Sequence, residues 1–389
     1  MADNNQSDSN SVLEIRRASI GEAEVHDEPI VDLDDGQIRL RIDTFAVTAN
    51  NVSYAGAGDM LGYWDFFPSS DPITWGRVPA VGYAEIVESR NADLPVGGRY
   101  HGWFPMAEYV TFTATATRDG FRDDGDHRQA HAPIYRSYTR TDADPMHDGA
   151  PDGEARHALL RVLFLTGYLA DEFFADSGGA TDGSDDGAPP FFGAEQVIVL
   201  SASSKTAIGF SQRAAQRDGW SVVGLTSAGN ADFVRSLGIY DSVVTYDQIT
   251  DADHGVQLVD SVVIDMAGNP NVLAAVHHHL GDRVEHSMMI GKSHHDAVPT
   301  TPTTQAGALP GAAPEFFFAP TALDRLLAKW GAAEYRRRTA EATQEFIDAS
   351  RSWMTLDERR GPDGPASAWA SIYGGEVAPD VGVVASFHS

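Results

Sequence analysis

Seven residues, Ser201-Ala202-Ser203-Ser204-Lys205-Thr206-Ala207, follow the short apolar run Gln196 to Leu200 and open a helical stretch. At a strand-to-helix turn of this kind, free backbone N–H groups converge and favour an anion. Turns that hold a dinucleotide usually carry glycines, for a tight bend, close approach of pyrophosphate and close helix–strand packing. Ser201, Ser204 and Ala207, three apart, are small enough to stand in for them, and the two hydroxyls add donors for phosphate. Residues 199–231 hold one acid, Asp218, against three bases, Lys205, Arg213 and Arg217. At the chain's average acid content about five acids would fall there. A locally positive stretch suggests an anionic ligand; the other reading is that Arg213 and Arg217 pair with surface acids. The next apolar run ends Gly224-Leu225-Thr226-Ser227-Ala228-Gly229-Asn230, with no carboxylate before Asp232. An NAD site usually places a carboxylate there for the ribose 2′-hydroxyl. Thr226, Ser227 and Asn230 instead tolerate a 2′-phosphate, which points to NADP(H). Ser227 or Asn230 as a helix cap is compatible with that reading.

A second group follows the fifth apolar run, in Gly291-Lys292-Ser293-His294-His295-Asp296. That is the carboxyl edge of a parallel sheet, where ligands sit. Lys292, Ser293 or His294 could touch cofactor or substrate, and His294 could supply a proton near neutral pH; the alternative is an exposed histidine loop. The triplet His277-His278-His279 lies on an expected helix, where consecutive residues point ~100° apart and cannot converge on one ion. It is read as helix surface. Cysteine is absent, which removes thiol catalysis, disulfides and cysteine-ligated zinc or iron–sulfur sites. No metal is expected.

The elements that position these residues change character along the chain. Val12 to Phe112 reads as β-rich, with period-two alternation in Ile38 to Ile42 and strand-like Tyr83 to Val87 and Glu108 to Phe112. Thr113 to Glu154 is acidic and glycine-rich, as a long surface insertion would be. A helical stretch covers Ala155 to Ala175, and Asp176 to Pro190 is a low-complexity loop. Apolar runs then recur at Gln196 to Leu200, Ser221 to Leu225, Ser242 to Tyr246, Ser261 to Asp265 and Val284 to Ile290. Helical segments separate them at Lys205 to Asp218, Asn230 to Leu237 and Asn271 to Leu280. Strand and helix alternating about every 20 residues describe a doubly wound α/β domain. Two helical stretches follow Pro320, and Val381 to Ala385 closes the chain as a strand.

The 389 residues carry 56 acids against 28 bases, a formal charge of −28, and only three of the bases are lysines. At roughly 15,000 Å² of surface, that is about one net negative charge per 500 Å². Nucleic acid and anionic membranes would be repelled. No apolar run approaches the ~20 residues of a membrane span, and Met1 to Val12 has no basic start followed by an apolar stretch. The chain is expected in the cytoplasm. An acidic, lysine-poor surface suits molar salt, where the screening length is ~3 Å, so the charge is read as halophilic adaptation.

The stretch Val197 to Tyr246, with Leu237-Gly238-Ile239-Tyr240-Asp241 inside it, resembles medium-chain dehydrogenase/reductases, closest to their zinc-free, quinone-oxidoreductase-like branch. Asp265-Met266-Ala267-Gly268-Asn269 is similar to that superfamily's D-x-x-G turn. Leu280 to Val284 and Glu315 to Pro320 also fit, and Thr48 to Asn51 and Val96 to Tyr100 resemble landmarks of its GroES-like catalytic domain. The Ser-Ser-Lys-Thr-Ala loop and Thr226-Ser227 through Tyr240-Asp241 are similar to the family called domain of unknown function 2855. The resemblance implies a Rossmann doubly wound parallel sheet plus a β-rich GroES-like domain. Its divisions are 1–154 for the GroES-like domain, 155–320 for the Rossmann domain, and 321–389 for helices and a strand returning to the first. It also implies an NADP(H)-dependent oxidoreductase acting on a quinone, enone or other activated carbonyl as small-molecule substrate, and a homodimer. Around Gly76 to Gly82, where zinc members carry a histidine, stand Arg77 and Val81. In related enoyl reductases a tyrosine lies about a dozen residues after an asparagine. Tyr63, twelve after Asn51, is similarly placed to assist an oxyanion, with Tyr54 the second candidate. An ordinary half-buried tyrosine remains open for both. The reading from a different class is a non-catalytic NADPH-binding sensor or partner-binding protein on the same fold.

Overall fold

The computed structural model describes residues 9–177, 189–266, 268–290 and 309–389. Two compact units divide the chain, one of residues 1–160 with 350–389 and one of residues 161–349. Among the described residues, no helix is long and apolar enough to cross a membrane.

The first unit opens with β1 (Ser9–Arg16) and β2 (Ala23–Pro29), an antiparallel pair. Then come β3 (Gln37–Val47), helices α1 (Ala49–Gly56) and α2 (Gly58–Leu61), and the two-residue β4 (Trp75–Gly76) beside β1. Strands β5 (Pro79–Ser89), β6 (Arg99–Pro105), β7 (Tyr109–Thr117), β8 (Gly120–Asp123) and β9 (Ser137–Arg140) follow. The order β3-β5-β6-β9-β8-β7 closes on itself, because β7 also pairs with β3. Closure leaves none of these six strands as an open edge. The alternation read in Ile38, Leu40 and Ile42 puts those side chains in the interior with Phe104, Phe112 and Phe121. Helix α3 (Gly153–Ala175) leads out.

The second unit is a parallel sheet of β10 (Gln196–Leu200), β11 (Ser221–Thr226), β12 (Ser242–Thr245), β13 (Ser261–Asp265), β14 (Val284–Met289) and β15 (Pro314–Phe316). Its order, β12-β11-β10-β13-β14-β15, is the 3-2-1-4-5-6 order of dinucleotide-binding sheets. Helices α4 (Lys205–Ala214), α5 (Ala231–Ser236) and α6 (Pro270–Leu280) make the crossovers. Side chains along β10 alternate between two cores, Val197 and Val199 in one and Ile198 and Leu200 in the other. Both faces are therefore buried, which is why these runs are uniformly apolar. Helix α7 (Ala319–Trp353), interrupted at Gly331 (φ 78°), leads back to the first unit. There β16 (Thr355–Arg360), α8 (Gly364–Tyr373) and β17 (Val381–Ser386) end the chain, with β17 on β3.

The structure differs from the sequence reading in three places. The expected insertion at 113–154 contains the end of β7 and all of β8 and β9, and it completes the closed barrel. Its acidic look hides an interior ion pair: Arg128 and Asp123 are 0% and 1% exposed, Nε to Oδ2 3.1 Å. Of the three histidines read as surface, only His278 is exposed. His277 is fully buried, its ring nitrogens meeting the Pro310 carbonyl at 2.9 Å and the Ser287 hydroxyl at 2.9 Å. Finally, the compact units exchange at 160 and 350, so most of α7 belongs with the parallel sheet.

Candidate functional site

At the carboxyl end of β10 the chain turns through Ser201, whose φ of 58° is left-handed and unusual for a serine. Ala202 is buried, and its N–H donates to the Leu225 carbonyl of β11 at 2.9 Å. Ser204 is the N-cap of α4, its Oγ accepting from the Ala207 N–H at 3.3 Å. Ser203 Oγ accepts from the Asn230 Nδ2 at 3.0 Å. With a protein donor on each oxygen, both hydroxyls keep a proton to give to a ligand. Ala207 is fully buried in the core beneath the sheet, where a larger side chain would push α4 off β10. Lys205 and Thr206, at the first two positions of α4, are half-buried, and no acid lies in that first turn.

The end of β11 lies beside this loop. Thr226 is 1% exposed, and its hydroxyl has no hydrogen-bond partner among the described residues. An orphaned buried hydroxyl is uncommon and marks a place where a ligand can satisfy it. Ser227 is exposed, and Asn230 is half-buried against Ser203. Asp232, the first acid after the strand, pairs with Arg235 at 2.9 Å. Loop and strand end together offer hydroxyl and amide donors without a carboxylate, a donor set that fits phosphate groups. The site thus gathers Ser201, Ser203, Ser204, Lys205, Thr226 and Asn230.

Other bases counted in the sequence are engaged elsewhere. Arg217 makes a two-pronged bond to Asp171 of α3 at 2.7 and 2.6 Å and a third to Glu172 at 3.0 Å. Arg213 lies 3.6 Å from both acids. The D-x-x-G turn is formed, with the Gly268 N–H donating to Asp265 Oδ1 at 2.9 Å and Gly268 at φ 70°. Lys292, Ser293 and His294 lie outside the described residues.

In the first unit, Asn51 is 4% exposed and its carboxamide is engaged at both ends. Oδ1 accepts from the Thr48 N–H and hydroxyl at 2.7 and 3.0 Å, and Nδ2 donates to the Pro79 carbonyl at 2.9 Å. It caps α1 and ties it to β5. The Tyr63 ring, 3% exposed, stacks on Tyr54 with centroids 4.5 Å apart. Tyr135, Trp103 and Phe66 complete the aromatic group. Burial, then the neighbouring Tyr63, push the Tyr54 phenol up, and burial does the same for Tyr135. These two phenols stay protonated near neutral pH.

Trp103 as a partner of Tyr54, and Tyr135 as a partner of Tyr63 and Trp103, are not legible in the sequence. Along β5 and β6, Val81 faces Trp103, Tyr83 faces His101 and Glu85 faces Arg99. Tyr83 then meets His157 of α3, Oη to Nδ1 2.5 Å, with both side chains fully buried. Among the described residues no three metal-ligating side chains gather at one point.

Residues 45–378 match the family described as "protein of unknown function (DUF2855)". No curated protein matches by sequence. Among solved structures, CurA from Vibrio vulnificus in complex with NADPH is similar at 12% identity and a TM-score of 0.57 over 98% of this chain and 99% of that one. The quinone oxidoreductase from Coxiella burnetii is similar at 13% and 0.52, over 97% and 99%. Human synaptic vesicle membrane protein VAT-1 homolog-like protein is similar at 12% and 0.52, over 98% and 99%. At such identities the likeness is one of fold: a Rossmann sheet with a GroES-like barrel, the medium-chain dehydrogenase/reductase architecture.

Proposed function

The chain belongs to the DUF2855 family, whose description assigns no activity, and on that footing we propose that it is a zinc-independent, NADP(H)-dependent oxidoreductase. The observation that carries this reading is the donor set at the carboxyl edge of β10 and β11. Ser203 and Ser204 have protons to give, the Thr226 hydroxyl has no partner among the described residues, and no acid stands at the end of β11 to repel a 2′-phosphate. Ser203, Ser204, Lys205 and the first turn of α4 hold the diphosphate. Thr226, Ser227 and Asn230 take the ribose phosphate. When bound, the nicotinamide supplies hydride to an activated double bond or carbonyl, such as an enone or quinone. Tyr63 or Tyr54 gives a hydrogen bond to the oxygen where charge develops. The homodimer implied by the resemblance belongs to the same proposal.

The test is thermal unfolding in about 1 M KCl with NADPH, NADH or neither. A ligand at 100 times its dissociation constant adds about 2.7 kcal/mol, which a melting curve resolves. A shift with NADPH and none with NADH is expected; no shift with either overturns the reading. A second reading, a sensor that binds NADPH without turnover, is favoured by one observation: both ends of the Asn51 carboxamide are already engaged, by Thr48 and by the Pro79 carbonyl. Substrate-dependent NADPH consumption with benzoquinone or an enone separates the two.

A further inference from the structure

The phosphate loop contains no glycine, yet it takes a shape that ordinarily requires one. Ser201 sits at φ 58°, a conformation that costs a non-glycine residue on the order of 1 kcal/mol unless its surroundings enforce it. Within the loop the Ser204 N–H donates to the Ser201 carbonyl at 2.8 Å, and two further contacts come from the residues flanking β12. The Tyr240 hydroxyl donates to the Ala202 carbonyl at 2.8 Å. The Tyr246 hydroxyl lies 3.3 Å from Ser201 Oγ. β12 pairs with β11 and not with β10, so both tyrosines reach across β11 to the loop. Gly224 on β11 makes room for Tyr240: a Cβ there would lie 2.8 Å from the Tyr240 ring and 3.1 Å from the Ala202 Cβ. The glycine that dinucleotide loops usually carry in the turn stands here on the neighbouring strand, under the clamping ring.

We infer that Tyr240 and Tyr246 are positioning residues for the ligand's diphosphate, setting the loop shape that glycines set elsewhere; this rests on the reading of the second unit as an NADP(H) site. With the Ala202 N–H on Leu225 and its carbonyl on Tyr240, this residue of the loop is fixed through both its backbone groups. The Ser203 and Ser204 hydroxyls and the first N–H groups of α4 are then presented in one arrangement. The unpartnered Thr226 hydroxyl shares the Gly224 face of β11, two residues along. Burial holds the Tyr240 phenol protonated, so it remains a donor across the working pH range.

The experiment is calorimetric titration of the full chain in about 1 M KCl with three probes. NADPH and ADP-ribose carry the diphosphate; adenosine 2′-monophosphate carries only the 2′-phosphate. Tyr240→Phe keeps the ring and removes one hydrogen bond, so NADPH and ADP-ribose should bind about tenfold more weakly. Adenosine 2′-monophosphate should stay within about twofold. Tyr246→Phe should act in the same direction, and Ser201→Gly added to it should restore wild-type affinity. Equal losses for all three probes, or no loss for any, would overturn the positioning role. If Tyr240→Phe does not fold, the Tyr246→Phe and Ser201→Gly pair decides. A wild-type protein that binds none of the probes removes the NADP(H) reading itself. Normal wild-type binding that neither variant disturbs removes only the clamp.

Discussion

Lys205 and Arg213 are eight residues apart on the same helix, and in the sequence they count equally as positive charge. Their surroundings separate them. Arg213 is drawn to Asp171 and Glu172 of α3, which also hold Arg217, so two acids answer two bases before a ligand arrives. Lys205 stands at the first position of α4, where a helix already favours an anion. Lys205→Ala should therefore weaken NADPH binding by about tenfold, the worth of one charge-assisted contact. Arg213→Ala should change it by less than about twofold. Titrating both variants at 0.2 M and 1 M KCl checks the pair, and equal effects would mean that the acids of α3 leave the local charge intact. His277 shows how such contrasts become legible. Leu273, Val276, His277 and Leu280 fall at i, i+3, i+4 and i+7, the stripe that faces a core. The periodicity was present, and the polarity of three adjacent histidines masked it.

At the scale of elements, the apolar strands were readable because burial on both faces leaves no polar positions to confuse the count. Gln196–Leu200 and Ser261–Asp265 run where the sequence places them, and α6 differs by one residue. Strands β8 and β9 were not readable. Gly120-Phe121-Arg122-Asp123 buries Phe121 and Asp123, and Ser137-Tyr138-Thr139-Arg140 buries Tyr138 alone, but the partner of buried Asp123 is Arg128, and no local pattern announces such a pair. Arg128 also donates to the carbonyls of Phe66 and Tyr135, holding the excursion against the barrel. Arg128→Leu leaves a buried acid and those carbonyls without their donor. It should cost about 3–5 kcal/mol in denaturant unfolding, whereas a surface insertion would lose almost nothing. Burial also raises the Asp123 carboxyl to about 6, against the pull of Arg128. The folded state then holds a proton that the unfolded chain has released between about pH 4 and pH 6. Stability from this group therefore rises as pH falls through that window and is lost as pH rises through 6. The wild-type protein should gain on Asp123→Asn by up to about 3 kcal/mol from pH 7 to pH 4. A difference that is flat with pH would place the carboxyl in an ordinary environment.

For the molecule as a whole, salt acts on two opposed terms, and the distribution of charge decides between them. Ion pairs weaken when screened, but many of the arginine pairs here are partly withdrawn from solvent. Arg77 with Glu14, Arg128 with Asp123 and Arg217 with Asp171 each join side chains of which at least one is no more than 2% exposed. Such pairs are screened much less than surface ones. The surplus of 28 acids has no base to answer it. Spread evenly, those charges would stand roughly 20 Å apart, and self-repulsion would fade by about 0.1 M, where the screening length is ~10 Å. They are not spread evenly. Asp32, Asp34 and Asp35 stand exposed within one short turn, and Asp247, Asp251 and Asp253 stand exposed along another. Neighbouring carboxylates that close continue to repel until the screening length reaches ~3 Å, near 1 M. The melting temperature should therefore climb by about 5–10 °C between 0.1 and 2 M KCl, with most of the gain below about 1 M. A fall with salt would mean that surface ion pairs outweigh the acidic surplus, and the composition would then need an explanation other than adaptation to high salt.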